Sequence, residues 1–553
     1  MSKFRTSIGE HIFAQKYASF EGQTWQQKAD AVALKVCGNI LPPGDVKSIA
    51  EAINDFKFMP AGRYLYYGDK PASFYNNCFV GIAQEDTREE WARIAHAATS
   101  VLMTGGGYGC DYSVFRPQGS LLKRTGGMAS GPIPLMYMVN EIGRNVMQGG
   151  SRRSALYASL NWKHQDAQDF LVCKDWHKMV VCKDTTIWDA KQENFNFPAP
   201  LDMTNISLNY DDDWLYSGSA LSDEAEHAAH RAVNPVFLKN VYQALSTGEP
   251  GFSFNFGDKE KETGRNPCCE VTSFDNNDVC NLGSINMAEV DTLEEFRALV
   301  RLGTYFLLCG TITGVVPFEE VQRVRSKNRR LGLGLMGMHE WLLKRGYRYE
   351  VNEELHKWLA VYRDESDAAA KYLSNVAGVS TPVACRAIAP TGTIGLLSGT
   401  STGIEPLFAV AYKRRYLTGS KTWKFEYVID GTAQLLINKY GLDPDDIETA
   451  SDLALHPRRR IKFQADVQDY VDMAISSTIN LPQWGTDYNN PDKVEDFAAT
   501  LAEFAPRLRG FTCYPDGSRG GQPLTVVPYR EAIGKEGLVF EEHDACVSGV
   551  CGI

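Results

Sequence analysis

Apolar positions recur at helical spacing through residues 10–56, in QKADAVALKVC and AEAINDFKF, and predict a small helical region at the start of the chain. Pro60-Ala61-Gly62-Arg63 then reads as a turn, and the apolar run NNCFVGI as a buried strand led by Cys78. Residues 91–103 are helical and end in Thr104-Gly105-Gly106-Gly107-Tyr108-Gly109. That cluster lacks the third glycine of a dinucleotide fingerprint and has no βαβ unit around it, so its glycines serve close backbone approach or positive φ. Residues 164–203 mix helix and irregular chain, 205–209 form a strand, and TGEPGFSFN gives a turn and a second strand. The pattern between 292 and 340 is helical, including EEVQRVRSKNRRLGLGLMGMHEWLLKRG, and 353–377 forms one long amphipathic helix. A further strand ends at Pro390.

Candidate chemistry concentrates in residues 266–286, NPCCEVTSFDNNDVCNLGSIN. If 266–270 is extended, Asn266, Cys268 and Glu270 share one face, and Pro267 and Cys269 point the other way. Pro267 has no backbone N–H, which argues for a tight loop or finger over a central ladder strand. An amide, a thiol and a carboxylate on one face make a catalytic set: hydrogen-bonding group, sulfur centre, general base. Against this stands the ordinary role of a free cysteine as a small buried hydrophobe. Zinc is a weaker rival, because no CxxC pair is present here, and no metal ligands are assigned.

Composition narrows the function. The chain has 553 residues, 44% of them hydrophobic, ample for a large core in one very large domain or several smaller ones. A net charge of −11 leaves no basic field for a nucleic-acid polymer, whereas a small anionic nucleotide needs only local N–H groups and a few arginines. The thirteen cysteines form no dense disulfide framework. The opening MSKFRTSIGEHIFAQKY has no apolar signal-peptide core, and no apolar run is long enough to span a membrane. The expected location is the reducing cytoplasm.

The two halves of the 266–286 stretch resemble the active-site loop of the ribonucleotide reductases. Catalytic chains of that family carry Asn-x-Cys-x-Glu, then Cys-Asn-Leu-(small)-Ser-(Ile/Phe)-Asn, matched here by Cys280-Asn281-Leu282-Gly283-Ser284-Ile285-Asn286. The resemblance runs from about residue 55 to the C-terminus in family order. It includes the strand at Cys78, Arg116-Pro117-Gln118-Gly119, the loop TGGMASGPIPLM, Arg330-Leu331-Gly332-Leu333-Gly334, Thr391-Gly392-Thr393-Ile394-Gly395 and Gly403-Ile404-Glu405-Pro406.

The resemblance implies an α/β fold: a ten-stranded α/β barrel of two parallel five-stranded halves set antiparallel, with the cysteine finger inside. The expected organisation is a helical region at 1–56, the barrel at 57–530 and a flexible redox tail at 531–553. The implied reaction is thiyl-radical reduction of the ribose 2′-hydroxyl of a ribonucleoside di- or triphosphate. Cys268 matches the thiyl residue, Glu270 the base for the 3′-hydroxyl, Asn266 the amide on the ribose hydroxyls, and Cys78 with Cys280 the pair that closes to a disulfide. Cys269 departs from relatives that have a small residue there. Substrate contacts are expected from Asn77, Ser130, Pro390, Thr391, Gly392, Thr393 and Ile394. A deoxynucleoside triphosphate specificity effector is expected near Asp86, Thr87 and Arg116. The tail cysteines Cys546 and Cys551 suit a dithiol shuttle recharged by a thioredoxin-like reductant, with a zinc-binding terminus as the structural rival. Nothing resembles the N-terminal ATP-binding regulatory module of some relatives.

For the radical source, Tyr514-Pro515-Asp516-Gly517-Ser518-Arg519 resembles the adenosylcobalamin-dependent (class II) reductases, which lack the two adjacent tyrosines of the oxygen-dependent relay. No Asp-x-His-x-x-Gly is present, so a histidine-ligated cobalamin is not expected. Two rivals stay open: a catalytic (alpha) subunit that receives its radical from a separate metalloprotein, and a catalytically silent nucleotide-binding regulator on the same fold.

Overall fold

The structure is a computed structural model that describes residues 3–123, 126–146, 154–194, 196–218, 223–417, 423–518 and 524–541. The chain opens with α1 (Ser7–Ile12), one wide turn over Phe13–Tyr17, α2 (Trp25–Cys37) and α3 (Pro43–Asn54). Thr24 starts α2 with a reciprocal capping box to Gln27. The buried faces of these helices merge with those of the barrel: Trp25, Val32 and Ile53 belong to the same hydrophobic core as Phe58, Ile285 and Phe306. The Lys35 ammonium donates to the carbonyls of Tyr67 and Ala72, both at 2.9 Å, and so ties α2 to the approach to Cys78.

The main sheet has ten strands among the described residues. They are β1 (Phe58–Pro60), β2 (Cys78–Ile82), β3 (Gly107–Asp111), β4 (Leu156–Asn161), β5 (Thr204–Tyr210), β6 (Gly251–Phe254), β7 (Asp278–Asn286), β8 (Leu331–Met336), β9 (Thr478–Leu481) and β10 (Gly510–Pro515). Strands β2 to β6 are parallel neighbours. β10 runs parallel to β9, and β7 parallel to β8. Segment 384–388 fills the place between β8 and β9. Leu331 N and Leu333 N donate to the carbonyls of Ala384 and Cys385 at 2.9 and 3.0 Å, and Ile388 exchanges bonds with Ala474 and Ser476. The ring is therefore two parallel halves of five, joined antiparallel at β7–β2 and at β6–β10. β1 adds an extra antiparallel edge on β7. This is the expected barrel.

One expectation fails. Residues 331–336 lie within the stretch read as helix, yet they form β8, a wholly buried strand. The alternation Leu-Gly-Leu-Gly-Leu is a period-two signal. Its glycines are required by the neighbours: a Cβ at Gly332 would stand 2.3 Å from Leu282 Cδ2, and one at Gly334 2.8 Å from the Ala387 carbonyl oxygen.

The helices that cover the barrel include α4 (Gly62–Tyr67), α5 (Arg88–Thr104), α6 (Leu293–Thr313), α7 (Glu319–Asn328), α8 (Glu353–Ala377) and α9 (Gly392–Ser398). α8 matches the predicted amphipathic helix; Asn352 caps it and Gly378, at φ +64°, ends it. A separate antiparallel sheet of Ala411–Leu417, Trp423–Ile429, Leu524–Val526 and Val539–Glu541 was not anticipated from the sequence. Among the described residues no helix is long and apolar enough to cross a membrane.

Candidate active site

The finger is a two-stranded ribbon, Gly264–Arg265 paired with Thr272–Ser273, whose tip carries the candidate chemistry. The tip is not extended, so the alternating-face picture is replaced by a turn. Cys269 N donates to the Asn266 carbonyl at 2.9 Å, closing a four-residue turn with Pro267 in its second position. Cys269 takes φ +66°, a left-handed conformation that suits glycine better than cysteine. Turn closure gathers Asn266, Cys268 and Glu270, while Cys269 lies toward Gly510, 3.9 Å from a Cβ built there.

The barrel wall holds this tip closely. Gly107 and Gly109 face it from β3: a Cβ at 109 would stand 2.0 Å from the Arg265 carbonyl oxygen, and one at 107 2.7 Å from Pro267 Cγ. The close-approach reading of that glycine cluster therefore stands, and Gly105, at φ +88°, meets the positive-φ reading. Asn205 Nδ2 donates to the Pro267 carbonyl at 2.8 Å, and Ala474 N to the Glu270 carbonyl at 2.9 Å. Arg265 is fully buried at the base of the finger and binds Ser253 Oγ, Asn255 Oδ1 and the Arg509 carbonyl at 3.1, 2.7 and 3.0 Å. Asp278 accepts from Ser273 Oγ at 2.7 Å and from Arg330 Nε at 2.9 Å, pinning the return strand to β7.

Within the tip, Asn266 Nδ2 donates to Cys78 Sγ at 2.9 Å, and Asn266 Oδ1 accepts from Val271 N at 2.9 Å. Cys78 Sγ lies 3.4 Å from Glu270 Oε1. Glu270 Oε2 is buried and has no hydrogen-bond partner among the described residues. Burial raises the Glu270 carboxyl above its usual value, partly opposed by hydrogen bonds from Asn266 and Cys78. Burial, then the nearby Glu270 carboxylate, pushes the Cys78 thiol far up; burial does the same to Cys280, opposed by Arg330. Cys269 is pushed up to about 12, again chiefly by desolvation. These sulfurs are thiols at neutral pH, the form that donates hydrogen atoms and does not attack as a thiolate. Cys78 and Cys280 are direct cross-strand partners on β2 and β7. Opposed residues of an antiparallel pair have Cα atoms about 4.5–5.5 Å apart, inside the range a disulfide needs. Both are free thiols here.

The tip opens on a cavity of about 260 Å³. Of the residues expected from the sequence, Asn77, Cys78, Asn266, Cys268, Glu270 and the run Pro390–Ile394 line it. Thr391 sits at φ +53° and its hydroxyl accepts from Gly403 N at 2.8 Å, which folds the loop before α9 back on itself. Cys280 lies outside the lining, across the strand pair from Cys78. Ser130 is exposed and does not line the cavity. Asp86, Thr87 and Arg116 come together elsewhere: Arg116 Nε binds Asp86 Oδ2 at 2.5 Å, and Thr87 caps α5 by accepting from Glu90 N at 3.2 Å. Cys546 and Cys551 lie outside the described residues. The sequence reading missed Tyr17, Gly62, Ser284 and Ala389 as lining residues, and Arg265 as the brace of the finger. No local pattern marks Tyr17 or Ala389, whereas Ser284 lies in the Cys-Asn-Leu-Gly-Ser motif and Gly62 in the 60–63 turn; Arg265, immediately before the motif, had only that position as a signal.

Comparison with known proteins agrees with this geometry. The family described as "Ribonucleotide reductase, barrel domain" matches residues 76–187, 244–362 and 383–502. The chain is 27% identical to the vitamin B12-dependent ribonucleoside-diphosphate reductase of Mycobacterium tuberculosis (strain ATCC 25618 / H37Rv), over 87% of this chain and 73% of that one. It is 29% identical to a putative adenosylcobalamin-dependent ribonucleoside-triphosphate reductase of Mycobacterium phage D29, over 85% of this chain and 75% of the other. Among solved structures, the alpha subunit of the Actinobacillus ureae class Id ribonucleotide reductase superposes with a TM-score of 0.70 at 16% identity, over 93% of this chain and 97% of that one, and so shares the fold. With a family match over more than half its length, on a finger that carries the Asn-x-Cys-x-Glu turn inside a ten-stranded barrel, the chain belongs to the ribonucleotide reductase family.

Proposed function

We propose that this chain is an adenosylcobalamin-dependent ribonucleotide reductase that converts ribonucleoside di- or triphosphates to their 2′-deoxy forms. The observation that carries the reading is the joint placement of Asn266, Cys268 and Glu270 on one turn beside the Cys78–Cys280 pair. The relatives named for vitamin B12 or adenosylcobalamin support the choice of cofactor. A second cavity, of about 660 Å³, supports it as well. Ala155 lines both cavities, and Asn205, which holds the Pro267 carbonyl, borders the second one behind the finger. Trp176, Trp188 and Met203 line it beside the charged groups Arg144, Lys174, Lys191, Asp202 and Glu249; the apolar side chains would hold the macrocycle and the charged ones its amide side chains. Adenosylcobalamin, when bound, supplies the oxidising equivalent that removes the Cys268 hydrogen atom.

The chain's own residues do the rest. The Cys268 thiyl takes the ribose 3′-hydrogen atom, and Glu270 Oε2 takes the 3′-hydroxyl proton. Asn266 orients the ribose hydroxyls. The 2′-hydroxyl leaves as water and a hydrogen takes its place at C2′. The two protons and two electrons this needs come from the Cys78 and Cys280 thiols, which become a disulfide. Glu270 then returns the 3′-hydroxyl proton, and Cys268 returns the 3′-hydrogen atom and is a thiyl again. Thr391, Gly392, Thr393 and Ile394 border the part of the cavity assigned to phosphate. The Asp86, Thr87 and Arg116 group is assigned the deoxynucleotide effector, and Cys546 with Cys551 the transfer of electrons from a thioredoxin-like reductant. A radical from a separate metalloprotein is disfavoured by the lone Tyr514, set between Cys513 and Pro515.

Anaerobic turnover of the purified chain tests the proposal. Product should form with adenosylcobalamin and a dithiol and fail without the cofactor. Strict dependence on an added metal-bearing subunit would overturn it.

A further inference from the structure

One wall of the cavity includes Tyr17, which precedes the stretch matched to the family. α1 lies against α9 with little clearance. A Cβ at Gly9 would stand 2.7 Å from the Leu397 carbonyl oxygen, and one at Gly399 3.0 Å from Arg5 Cβ. After α1 the helix widens: Ala18 N donates to the Phe13 carbonyl at 2.8 Å, an i→i−5 bond of the kind that inserts a residue into a helical turn. That turn buries Phe13 and Tyr17 together. Phe13 anchors it edge-on against Trp25, at 5.6 Å between ring centres. Tyr17 instead reaches the cavity, with its hydroxyl 2.9 Å from a Cβ built at Gly62, the first residue of α4.

We propose that Tyr17 is a substrate-contacting residue whose hydroxyl donates a hydrogen bond to the phosphate of the ribonucleotide. This rests on the assignment of the finger side of the cavity to ribose. With Asn266, Cys268 and Glu270 on the sugar, the remainder of the nucleotide extends toward the α4 start and the loop before α9, where Tyr17 stands. The electrostatics give the hydroxyl weight. Among the described residues that line the cavity there is no lysine and no arginine. A phosphate held there relies on neutral donors, namely backbone N–H groups, threonine hydroxyls and the Tyr17 phenol. Hydrogen bonds to a charged acceptor are the stronger class, so loss of one among few is expected to weaken binding about tenfold.

The test is protection of Cys268 from iodoacetamide by the diphosphates of cytidine, uridine and adenosine, read by fragment mass spectrometry on the full chain. Cys268 is half-buried whereas Cys78 and Cys280 are buried, so the label reports the cavity. Tyr17→Phe keeps the ring against Gly62 and removes only the hydroxyl. The half-protecting concentration should rise about tenfold in Tyr17→Phe, by a similar factor for all three nucleotides, since they share the phosphate. An unchanged concentration would overturn the inference, and so would a rise confined to one base, which would place the hydroxyl on the base instead. Failure of every nucleotide to protect the parent chain would count against the functional reading itself.

Discussion

Gly109→Ala is the most direct probe of how the barrel sets the finger. Gly109 lies in the middle of β3, with a φ outside the left-handed range, so the added methyl acts by contact alone. The new Cβ would stand 2.0 Å from the Arg265 carbonyl oxygen and 3.1 Å from Tyr157 Cβ. Ordinary contact begins near 3.4 Å, so the ribbon must retreat from β3 by about 1.4 Å. Neither partner yields easily: the carbonyl is backbone, and Arg265 is fixed by four hydrogen bonds behind it. Overpacking of this size costs about 1–3 kcal/mol of stability. Misplacing reacting groups by about 1 Å costs on the order of a hundredfold in rate. The expected outcome is a fall of roughly a hundredfold in single-turnover product formation while the chain still unfolds cooperatively, a few degrees lower in midpoint. Gly44→Ala, in α3 with open space around the new methyl, is the control and should match the parent in product formation and unfold at or slightly above its midpoint. Turnover of Gly109→Ala within about twofold of the parent would show that β3 does not position the finger.

Three further outcomes follow from the same geometry. Because burial raises the Glu270 carboxyl, the acidic limb of the turnover–pH profile should lie above the usual 4.5. A carboxyl with a raised folded-state pKa contributes stability below its unfolded value that is lost as pH rises through the folded value; Glu270→Gln should therefore abolish turnover yet raise the thermal midpoint at pH 7, and a lowered midpoint would contradict this. Cys268→Ser should end turnover and 3′-hydrogen exchange, whereas Cys269→Gly should keep most activity and relieve about 1 kcal/mol of left-handed strain; equal loss in both would refute the turn geometry as the basis of their difference. Removing Cys546 and Cys551 should stop thioredoxin-driven turnover but leave single-turnover yield on pre-reduced protein near that of the parent; a collapse of that yield would point to a structural role for the tail.

Much of the site was legible because its residues are close in sequence and chemically unusual. Asn266 and Cys268 fall within one turn with Glu270 directly after it, and Pro267 already argued against a ladder strand. The route to their clustering was misjudged, since side-chain alternation and turn closure bring the same residues together and only backbone conformation separates the two. The glycines at 105–109 were read correctly in kind, while their partners were out of reach: no periodicity tells that Gly109 faces Arg265. β8 was taken for helix because it lies between helical segments, although Leu331 to Leu335 alternates with period two. The sheet containing 411–417 and 423–429 escaped for a different reason. Its strands interleave charged residues with aromatics, Lys413, Arg414 and Arg415 among them, and their pairing with 524–526 and 539–541 depends on chain more than a hundred residues away.

The topology explains why the chemistry depends on the whole ring. Within either parallel half, neighbouring strands come from one run of the chain and offer their inner faces in sequence order. Only the two antiparallel joints set residues of one half directly against residues of the other. Cys78 and Cys280 occupy the β2–β7 joint, where register makes them opposed partners. The opposite joint, β6–β10, supplies the finger's brace: Arg265 binds Ser253 on β6 and the Arg509 carbonyl just before β10. The finger thus touches both joints: Ser273 and Gly264 seat its ribbon on β7 and β2, and the Arg265 side chain reaches across to the β6–β10 joint. Segment 384–388 closes the ring with few regular hydrogen bonds and leads directly into the Pro390–Ile394 lining, so closure and the substrate loop are one element. Cys78 and Cys280 are buried where β2 meets β7. In this fold the raised thiol pKa of the Cys78–Cys280 pair comes from burial at the antiparallel joint first, and from charged neighbours second.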